Sequence, residues 1–298
     1  MIFGKTGQVG RELARIAWPA DASIVQLTRS QCDLRVPAHA VEWVLNLKPD
    51  IVVNAAAYTA VDRAESEPAI AATINSEAPA AIAQACRKTG ARLVHISTDY
   101  VFDGSTRTPY VESDPVAPLS VYGRTKEKGE AAIRDRLTEH IILRTSWVFA
   151  AHGSNFVRTM LRLGQERPEL RIVADQRGAP TAARDIAQAI ADIVLAVRNG
   201  GGVWGTYHFT SEEPTTWFGF AETIFGLSGK SPRLIPIPTD GYKTPARRPL
   251  NSVLDCRHIA AIYGIAQPSW RGALADTLVE IQRGNHGASV GADESSAC

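Results

Sequence analysis

The stretch Gly4-Lys5-Thr6-Gly7-Gln8-Val9-Gly10 lies between the apolar run Met1-Ile2-Phe3 and residues 11–16, which have the pattern of a helix. A strand, a glycine turn and a helix in this order let the backbone approach a pyrophosphate and aim helix N–H groups at it. The glycines are spaced G-x-x-G-x-x-G. This stretch predicts a dinucleotide site at the edge of a parallel α/β sheet; the alternative is an ordinary turn that contains three glycines.

Short apolar runs alternate with helical stretches along the first half of the chain. Strands are predicted at 23–27, 50–53, 91–96 and 140–143, and an alanine-rich helical segment spans 68–88. This alternation is typical of a parallel sheet that is covered by helices on both faces. We therefore predict an α/β fold: a Rossmann-type doubly wound parallel sheet with a smaller C-terminal substrate-binding part.

The composition of the sequence changes near residue 150. Glycines cluster at 200–202 and prolines between 232 and 249, as in loops, although 185–197 has the pattern of a helix that packs on a sheet. The last residues are small and polar, which favours disorder. The predicted units are an NADP-binding domain at 1–150 that also includes about 181–208, a mainly substrate-binding domain at 151–285, and a disordered tail at 286–298.

Composition argues against several kinds of partner. The formal net charge is only +1, so neither a nucleic acid nor an anionic membrane is indicated. The sequence has no run of about 18 to 20 uncharged apolar residues that would span a bilayer. The four cysteines lie far apart without a C-x-x-C motif, which indicates reduced side chains. We expect a cytoplasmic enzyme.

Tyr122 is followed four residues later by Lys126. On a helix, positions i and i+4 share a face, so an ammonium at Lys126 would favour the ionised form of the phenol. An unperturbed tyrosine titrates at about 10, and a neighbouring cation brings it closer to the range in which general acid–base catalysis is efficient. Taken alone, this spacing is weak evidence for a catalytic pair, and the glycine stretch that precedes it strengthens the evidence.

Further segments, together with the glycine stretch and the Tyr122–Lys126 pair, closely resemble one family, the dTDP-4-dehydrorhamnose reductases. These enzymes belong to the extended type of short-chain dehydrogenase/reductase. The resemblance runs from residue 4 to about residue 252. The segments that carry it are 54–65, 97–104, 144–149 and 176–181, with 248–252 as a late element.

The resemblance implies reduction, by a reduced nicotinamide, of the C4 ketone of dTDP-4-dehydro-L-rhamnose to dTDP-L-rhamnose. It implies that Tyr122 donates a proton to the ketone oxygen. Lys126 would lower the phenol pKa and hold the nicotinamide ribose, and the Thr98 hydroxyl would hydrogen-bond the same ketone oxygen. Thr98 follows the predicted strand at 91–96, where open α/β sheets place ligand groups. The alternative for Thr98 is a helix cap or a turn at the strand end.

Cofactor choice depends on the end of the second predicted strand. Thr28 and Arg29 stand where NAD-specific sites usually carry an acidic residue. A guanidinium suits a 2′-phosphate, so we predict NADPH and leave acceptance of NADH open; the alternative for Arg29 is a solvated charge. By resemblance, Asp33 and Leu34 bracket the adenine; the alternative for Asp33 is an aspartate in an ordinary turn. The predicted cofactor-binding residues are Gly4, Gly7, Gln8, Val9, Gly10, Thr28, Arg29, Asp33, Leu34, Ala55, Ala56, Ala57, Tyr58, Thr59, Tyr122 and Lys126.

The sugar nucleotide is expected to meet a second group of side chains. Trp147 would lay its ring against the deoxysugar, or else it is a core residue. Arginine suits a diphosphate, and Arg248 is the choice here, although Arg247 lies beside it. The predicted substrate-binding residues are Thr98, Asp99, Trp147, Val61, Asp62 and Arg248.

We predict no metal. Some members of the family are magnesium-dependent dimers that use acidic residues at the interface. In this chain only Glu12 stands at a matching early position, and Arg184 stands where an acid would be wanted. The sequence does not bring together three hard oxygen ligands for a magnesium ion. Formation of a homodimer is left open.

Other functions share the fold, and reduction of a different sugar nucleotide is one of them. A sugar-nucleotide 4,6-dehydratase needs an acid pair after Thr98, whereas this chain has Asp99 followed by Tyr100. An epimerase would retain its nicotinamide tightly through dialysis. A regulatory subunit like the methionine adenosyltransferase beta subunit would bind an enzyme partner, and intact Thr98, Tyr122 and Lys126 disfavour it.

Overall fold

The structure, a computed structural model, describes the backbone of residues 1–293 and the side chains of residues 1–283. The strands are β1 (Ile2–Phe3), β2 (Gln26–Leu27), β3 (Ile51–Asn54), β4 (Arg92–Thr98), β5 (His140–Thr145), β6 (Val148–Phe149), β7 (Glu169–Val173), β8 (Arg177–Gly178), β9 (Thr181–Ala182), β10 (Gly205–His208), β11 (Thr215–Thr216) and β12 (Arg233–Ile237). The helices are α1 (Gln8–Leu13), α2 (Pro37–Leu47), α3 (Val61–Ser66), α4 (Pro68–Ala72), α5 (Ala78–Thr89), α6 (Val121–Arg136), α7 (Phe156–Glu166), α8 (Ala183–Arg198), α9 (Trp217–Ser228), α10 (Arg257–Tyr263) and α11 (Trp270–Asp293). A π-helical turn at Thr73–Glu77 joins α4 to α5, and 3₁₀ turns lie at Asp99–Val101 and Thr239–Gly241.

Six parallel strands form the central sheet in the order β10-β5-β4-β3-β1-β2. Parallel neighbours need crossover connections, and helices supply them, which is why strand and helix patterns alternate in the sequence. The chain runs outward from β1 to β2 and then continues from β3 on the other side of β1. Ligands of open α/β sheets bind at the carboxyl ends of the strands beside such a reversal. The predicted Rossmann-type doubly wound fold is confirmed.

Neighbouring residues of one strand pack on opposite faces of the sheet. Ile141 and Leu143 of β5 belong to the core cluster that includes α1 and α8, whereas Ile142 belongs to the cluster that includes α2 and α5. Side chains alternate across a strand, so a strand that is covered on both faces reads as a continuous apolar run. This explains the sequence pattern from which the strand is predicted.

The predicted strands are present with different ends. The strands β3, β4 and β5 cover 50–53, 91–96 and 140–143 almost completely and extend further at their carboxyl ends, while of 23–27 only Gln26–Leu27 pairs with β1. The predicted helix at 185–197 is confirmed by α8. Strand β10 joins the central sheet from the segment 181–208 that we assign to the NADP-binding domain. The division into domains itself stays a prediction.

The segment after β5 builds a second core beside the sheet. It contains the pair β7–β12, the pair β8–β11 and the pair β6–β9. Aromatic side chains fill its centre, among them Phe149, Phe220 and Trp270, which are fully buried. Phe220 contacts Phe149 and Trp270 with ring centroids 5.6 and 5.4 Å apart. This core carries those residues of the C-terminal half that face the carboxyl ends of the strands in the central sheet.

The final helix, α11, continues to Asp293. It therefore overlaps the first part of 286–298, for which a disordered tail is predicted. A helix that is already nucleated gains one hydrogen bond for each residue added, which physically accounts for its continuation into a small polar segment. Residues 294–298 lie outside the described residues. Over the described part of the chain, no helix is long and apolar enough to cross a membrane.

Helix α6 approaches the π-helical turn closely at Gly129. A Cβ atom at this position would lie 2.1 Å from the carbonyl oxygen of Asn75. Asn75 is 1% exposed, and its side chain hydrogen-bonds Thr125 of α6 at 3.2 Å. A single-turn π-helix within a longer helical segment frequently marks a functional site. These contacts hold α6 against the π-helical turn.

We predict that Gly129→Ala destabilises the protein by about 1 to 3 kcal/mol, because the new methyl group overpacks a backbone contact. Chemical denaturation measures this change. The control is Gly226→Ala in α9, where an added Cβ has no described neighbour within 4 Å. That control should stabilise the helix by a few tenths to about 1 kcal/mol. Equal unfolding free energies for the two variants would contradict the close approach.

Candidate active site

A cleft of about 640 Å³ opens at the carboxyl ends of β1, β3, β4 and β5. Its walls include Phe3 at the end of β1, Ala55 after β3, Thr98 at the end of β4 and Thr145 at the end of β5. Side chains of α6 and of the segment after β5 close the opposite side. Its volume and position are those expected of a ligand site in an open α/β sheet.

The glycine turn forms one end of this cleft. Gly4 has φ +91°, which favours glycine, and a Cβ there would lie 2.8 Å from the Ala56 nitrogen. A Cβ at Gly10 would lie 2.0 Å from the Gly4 carbonyl oxygen. Gly7 caps α1 without a side-chain hydrogen bond. The cleft wall here is bare backbone, so these residues fit the pyrophosphate of a dinucleotide, which needs close backbone approach.

Charged residues surround the far end of the cleft, after β2. Arg29 and Asp33 line it, whereas Thr28 turns its hydroxyl to Gln31 at 2.9 Å. The Arg35 side chain donates to Asp33 at 2.8 Å. This hydrogen bond is the main cause that lowers the pKa of Asp33 to about 2, with Arg29 adding a smaller effect at 3.6 Å. Arg35 is not among the predicted residues; it keeps Asp33 anionic.

The segment 55–59 is held by Asn75. The Tyr58 N–H donates to Asn75 Oδ1 at 2.8 Å, and Asn75 Nδ2 donates back to the Tyr58 carbonyl at 3.1 Å. The Tyr58 phenol turns away from the cleft and donates to Glu67 at 2.6 Å. The small side chains on both sides of Tyr58 line the cleft. Asn75 has no motif signal, and it is the tertiary contact that reveals it.

Thr98 both caps the 3₁₀ turn and lines the cleft. Its Oγ1 accepts from the Tyr100 N–H at 3.2 Å and donates to Asp99 Oδ1 at 3.0 Å. Thr98 is therefore both the cap of the 3₁₀ turn, which was the alternative interpretation, and a residue that lines the cleft. Asp99 is 2% exposed, and its Oδ2 has no described hydrogen-bond partner. Burial raises the pKa of Asp99 to about 7, and hydrogen bonds such as that from Thr98 oppose it only in part.

Tyr122 and Lys126 lie in the first two turns of α6. The helix begins here because the Ser120 side chain accepts from the Gly123 N–H at 3.1 Å as an N-cap. Burial raises the pKa of Tyr122 to about 12, while a hydrogen bond with Thr98 lowers it in part. The Tyr122 ring meets the Tyr100 ring edge-on at 5.9 Å.

The Lys126 side chain is 1% exposed and points at β4. Its Nζ donates to the Ile96 carbonyl at 2.7 Å and lies 3.1 Å from His95 Nε2. Burial lowers the pKa of Lys126 to about 8, and the charge of Glu130 opposes this shift. The expectation that Lys126 lowers the phenol pKa is not met in this arrangement, because the amine faces β4 and burial of the phenol raises its pKa.

Trp147 has an unusual backbone for its residue type. Its φ is +45°, a conformation that costs a non-glycine residue of order 1–3 kcal/mol and clusters at functional sites. Its ring stacks on Trp217 at 3.5 Å with an interplanar angle of 5°. A Cβ at Gly178 would lie 2.5 Å from the same ring. Both tryptophans line the cleft, and Trp217, which carries no motif signal, is not among the predicted residues.

Asp62 and Arg248 bind each other. The two nitrogens of the guanidinium donate to the two carboxylate oxygens at 3.0 and 2.8 Å. This bidentate pair joins α3 to the loop before residue 250, and neither side chain lines the cleft. Val61, directly before Asp62, does line it. The predicted contact of Arg248 with a diphosphate would therefore have to compete with Asp62.

Most of the predicted residues come together in this cleft. Those that line it are Gly4, Gly7, Gln8, Val9, Arg29, Asp33, Leu34, Ala55, Ala56, Ala57, Thr59, Val61, Thr98, Asp99, Tyr122, Lys126 and Trp147. Those that support it without lining it are Gly10, Thr28, Tyr58, Asp62 and Arg248. Lining residues outside the prediction include Cys32, Ser97, Tyr100, Ser146, Ser154 and Trp217.

Glu12 and Arg184 are engaged in ion pairs. Glu12 accepts from the ring of His152 at 2.6 Å, and Arg184 pairs with Asp276 at 2.8 Å. Over the described part of the chain, no group of three or more His, Cys, Asp or Glu side chains is arranged to hold a metal ion. The absence of a metal stays a prediction.

The sheet, the glycine turn and a tyrosine–lysine pair at one edge define a Rossmann-type protein of the short-chain dehydrogenase/reductase class. Residues 1–283 match the family described as "RmlD substrate binding domain". A dTDP-4-dehydrorhamnose reductase of Burkholderia thailandensis is 46% identical over 286 residues, which cover 92% of this chain and 96% of that protein. The chain belongs to the dTDP-4-dehydrorhamnose reductase family.

Two solved structures of the same family share the fold. The dTDP-4-dehydrorhamnose reductase of Clostridium acetobutylicum has a TM-score of 0.88 and 34% identity. That of Bacillus anthracis, in complex with NADP, has a TM-score of 0.87 and 34% identity. Each comparison covers 94% of this chain and 98% of the other chain.

We predict that the Asp99 carboxyl titrates with a midpoint near pH 7, since burial raises its pKa to about 7. Carboxyl ¹³C NMR of protein labelled at aspartate measures this midpoint, and Asp99→Asn identifies the resonance. Asp33, whose pKa is lowered to about 2, serves as the internal control that stays ionised between pH 5 and 9. A midpoint for Asp99 below about 5, the ordinary range for aspartate, would contradict the prediction.

Proposed function

We propose that the protein is an NADPH-dependent oxidoreductase that reduces the C4 ketone of dTDP-4-dehydro-L-rhamnose to dTDP-L-rhamnose. The observation that carries the proposal is the meeting of Thr98, Tyr122 and Lys126 in the cleft that begins at the glycine turn. The chain that builds this cleft belongs to a family whose curated members are dTDP-4-dehydrorhamnose reductases. Bound NADPH would supply the hydride that reaches C4.

Tyr122 is assigned as the proton donor. As the ketone is reduced, negative charge grows on its oxygen, and that charge must be met by a proton or by fixed donors. The raised pKa of Tyr122, about 12, means that the phenol carries its proton at neutral pH. Thr98 lies close enough to affect the phenol pKa, which supports assigning its hydroxyl to the same ketone oxygen; it would then donate to that oxygen in place of Asp99.

The glycine turn, the segment 55–59 and the residues after β2 are assigned to the cofactor. The bare backbone at Gly4 and Gly7 suits the pyrophosphate. Arg29 lines the far end of the cleft with 65% of its side chain exposed, where a guanidinium suits a 2′-phosphate. Lys126 lines the cleft, and its amine suits a hydrogen bond with a ribose hydroxyl.

Asp99, Val61 and the stacked pair Trp147–Trp217 are assigned to the sugar nucleotide. A stacked aromatic surface suits the apolar face of a deoxysugar. Asp62 and Arg248 are assigned to this part as well, with Arg248 positioned by its bidentate pair. We further propose that residues 1–150 with about 181–208 form the NADP-binding unit and 151–285 mainly the substrate-binding unit. A cytoplasmic location and the absence of nucleic-acid and membrane partners complete the proposal, and a homodimer is left open.

Mixing the protein with NADPH and dTDP-4-dehydro-L-rhamnose should oxidise the cofactor, which is followed by absorbance, and yield a dTDP-6-deoxyhexose identified by NMR. Tyr122→Phe should lower kcat by roughly 10² to 10⁴, the usual contribution of a general acid, while leaving NADPH affinity nearly intact. The control is Tyr110→Phe, which removes a hydrogen bond to Asp103 outside the cleft and should leave kcat unchanged. Undiminished turnover in Tyr122→Phe would exclude the phenol as the donor.

Arg29→Ala should weaken NADPH by about tenfold or more and NADH much less, because a charge-assisted hydrogen bond contributes about 1.5–3 kcal/mol. Fluorescence titration with each cofactor measures both affinities. Arg92→Ala is the matched control, since it removes the same charge from a residue that pairs with Glu139 and does not line the cleft; it should leave both affinities unchanged. Equal losses for both cofactors in Arg29→Ala would show that the guanidinium does not meet the 2′-phosphate.

A further inference from the structure

A chain of hydrogen bonds connects Lys126 to the end of β3. Asn54 and His95 are cross-strand partners in the pair β3–β4, and they are 1% and 0% exposed. Asn54 Nδ2 lies 3.1 Å from His95 Nδ1, and His95 Nε2 lies 3.1 Å from Lys126 Nζ. Both ring nitrogens of a fully buried histidine are thus used, one of them on a residue assigned to the proposed reaction.

The direction of this chain is set at its Asn54 end. The Ala56 N–H points at Asn54 Oδ1 at 3.2 Å, and an N–H donor requires the oxygen of the amide there. The amide nitrogen, which only donates, therefore faces His95. His95 Nδ1 must accept this hydrogen bond and carries no proton.

A neutral ring that lacks a proton on Nδ1 carries it on Nε2. The pKa of His95 is lowered well below its usual range, mainly by burial, so the ring is neutral whether or not Lys126 carries a charge. His95 Nε2–H then points at Lys126 Nζ, which can accept it only as an uncharged amine with a free lone pair. A charged ammonium has no lone pair, so its N–H groups would point at the N–H of His95 and no hydrogen bond would form.

We propose that Asn54 and His95 are positioning residues that stabilise the neutral amine of Lys126, so that Lys126 is not a permanent cation. This inference rests on the proposed function, in which Lys126 meets the cofactor ribose. The neutral amine accepts the hydrogen bond from His95 and keeps its own hydrogens for the Ile96 carbonyl and a ribose hydroxyl.

Burial acts in the same direction as His95, because it lowers the pKa of Lys126 to about 8. The amine therefore loses its proton more readily than the amine of an exposed lysine.

The other ionisable groups around Lys126 either oppose the stabilisation of its neutral amine or do not contribute to it. Glu130, one turn further along α6, raises the pKa of Lys126, but it is itself paired with Arg144 of β5 at 2.7 Å. Tyr122 lies one turn before, and Asp99 lies in the 3₁₀ turn after β4. Glu65 of α3 accepts the Val121 N–H at 2.8 Å. None of these groups supplies a hydrogen to the amine lone pair in the described structure, whereas His95 does.

The first test uses the wild-type protein and needs no activity. ¹⁵N NMR of histidine-labelled protein distinguishes the two neutral ring tautomers, and His95→Gln identifies the His95 signals. We expect the proton on Nε2 at pH 7 to 9. A proton on Nδ1 would overturn the inference, even if the protein reduces the sugar nucleotide as proposed.

The second test reverses the chain with Asn54→Asp. The carboxylate still accepts from the Ala56 N–H, but it also accepts from His95 Nδ1–H, so Nε2 becomes an acceptor for the Lys126 ammonium. The midpoint of the Lys126 ¹³Cε resonance, assigned with Lys126→Arg, should rise by about one pH unit or more. The alkaline limb of kcat/KM should move in the same direction.

His140→Gln is the control, because His140 is buried in β5 and its ring contacts the Leu137 carbonyl. It should leave the Lys126 midpoint unchanged. An unchanged midpoint in Asn54→Asp, with the protein folded, would overturn the inference. If the tautomer and the midpoint behave as expected while the sugar nucleotide is not reduced, the proposed function fails and the assignment of Asn54 and His95 as stabilisers of the neutral amine stands.

Discussion

A lysine that is buried to 1% exposure must find hydrogen-bond partners, because desolvation of its charge is costly. Lys126 finds them on β4, at the Ile96 carbonyl and the His95 ring. This attachment holds the start of α6 against the sheet. The Tyr122 phenol, one turn earlier on the same face, is thereby placed over the carboxyl end of β4 beside Thr98. The geometry of the whole site depends on this anchoring.

Close backbone contacts make the anchoring possible. A Cβ at Gly123 would lie 2.2 Å from the Tyr100 carbonyl, and one at Gly129 would lie 2.1 Å from the Asn75 carbonyl. At the other end of the cleft, Gly4 and Gly10 allow the turn to fold onto the segment after β3. Packed interiors leave little room for adjustment, so these glycines set the distance between the helix, the sheet and the proposed cofactor position.

Much of the fold and part of the site were predictable from local patterns. The alternation of apolar runs and helices predicts the parallel sheet, since strands covered on both faces need such runs. Spacing of four residues placed Tyr122 and Lys126 on one helix. It did not reveal that Lys126 points at β4, because side-chain direction depends on what the helix packs against. Likewise Asp62 and Arg248 are 186 positions apart, and their pairing is invisible in sequence.

The amino-acid sequence by itself determined the class of fold, the glycine turn and the family, because each depends on residues that are neighbours or near neighbours along the chain. Only the tertiary structure decided which groups share a hydrogen-bond network. Asn75, His95 and Trp217 carry no motif, and they become part of the site through contacts across strands and helices; Asn54 lies in a segment that carries the resemblance, but its hydrogen bond to His95 is a cross-strand contact. Burial, which moves the pKa of Asp99 to about 7 and that of Lys126 to about 8, is likewise a property of packing, since it depends on how much water the surrounding elements exclude.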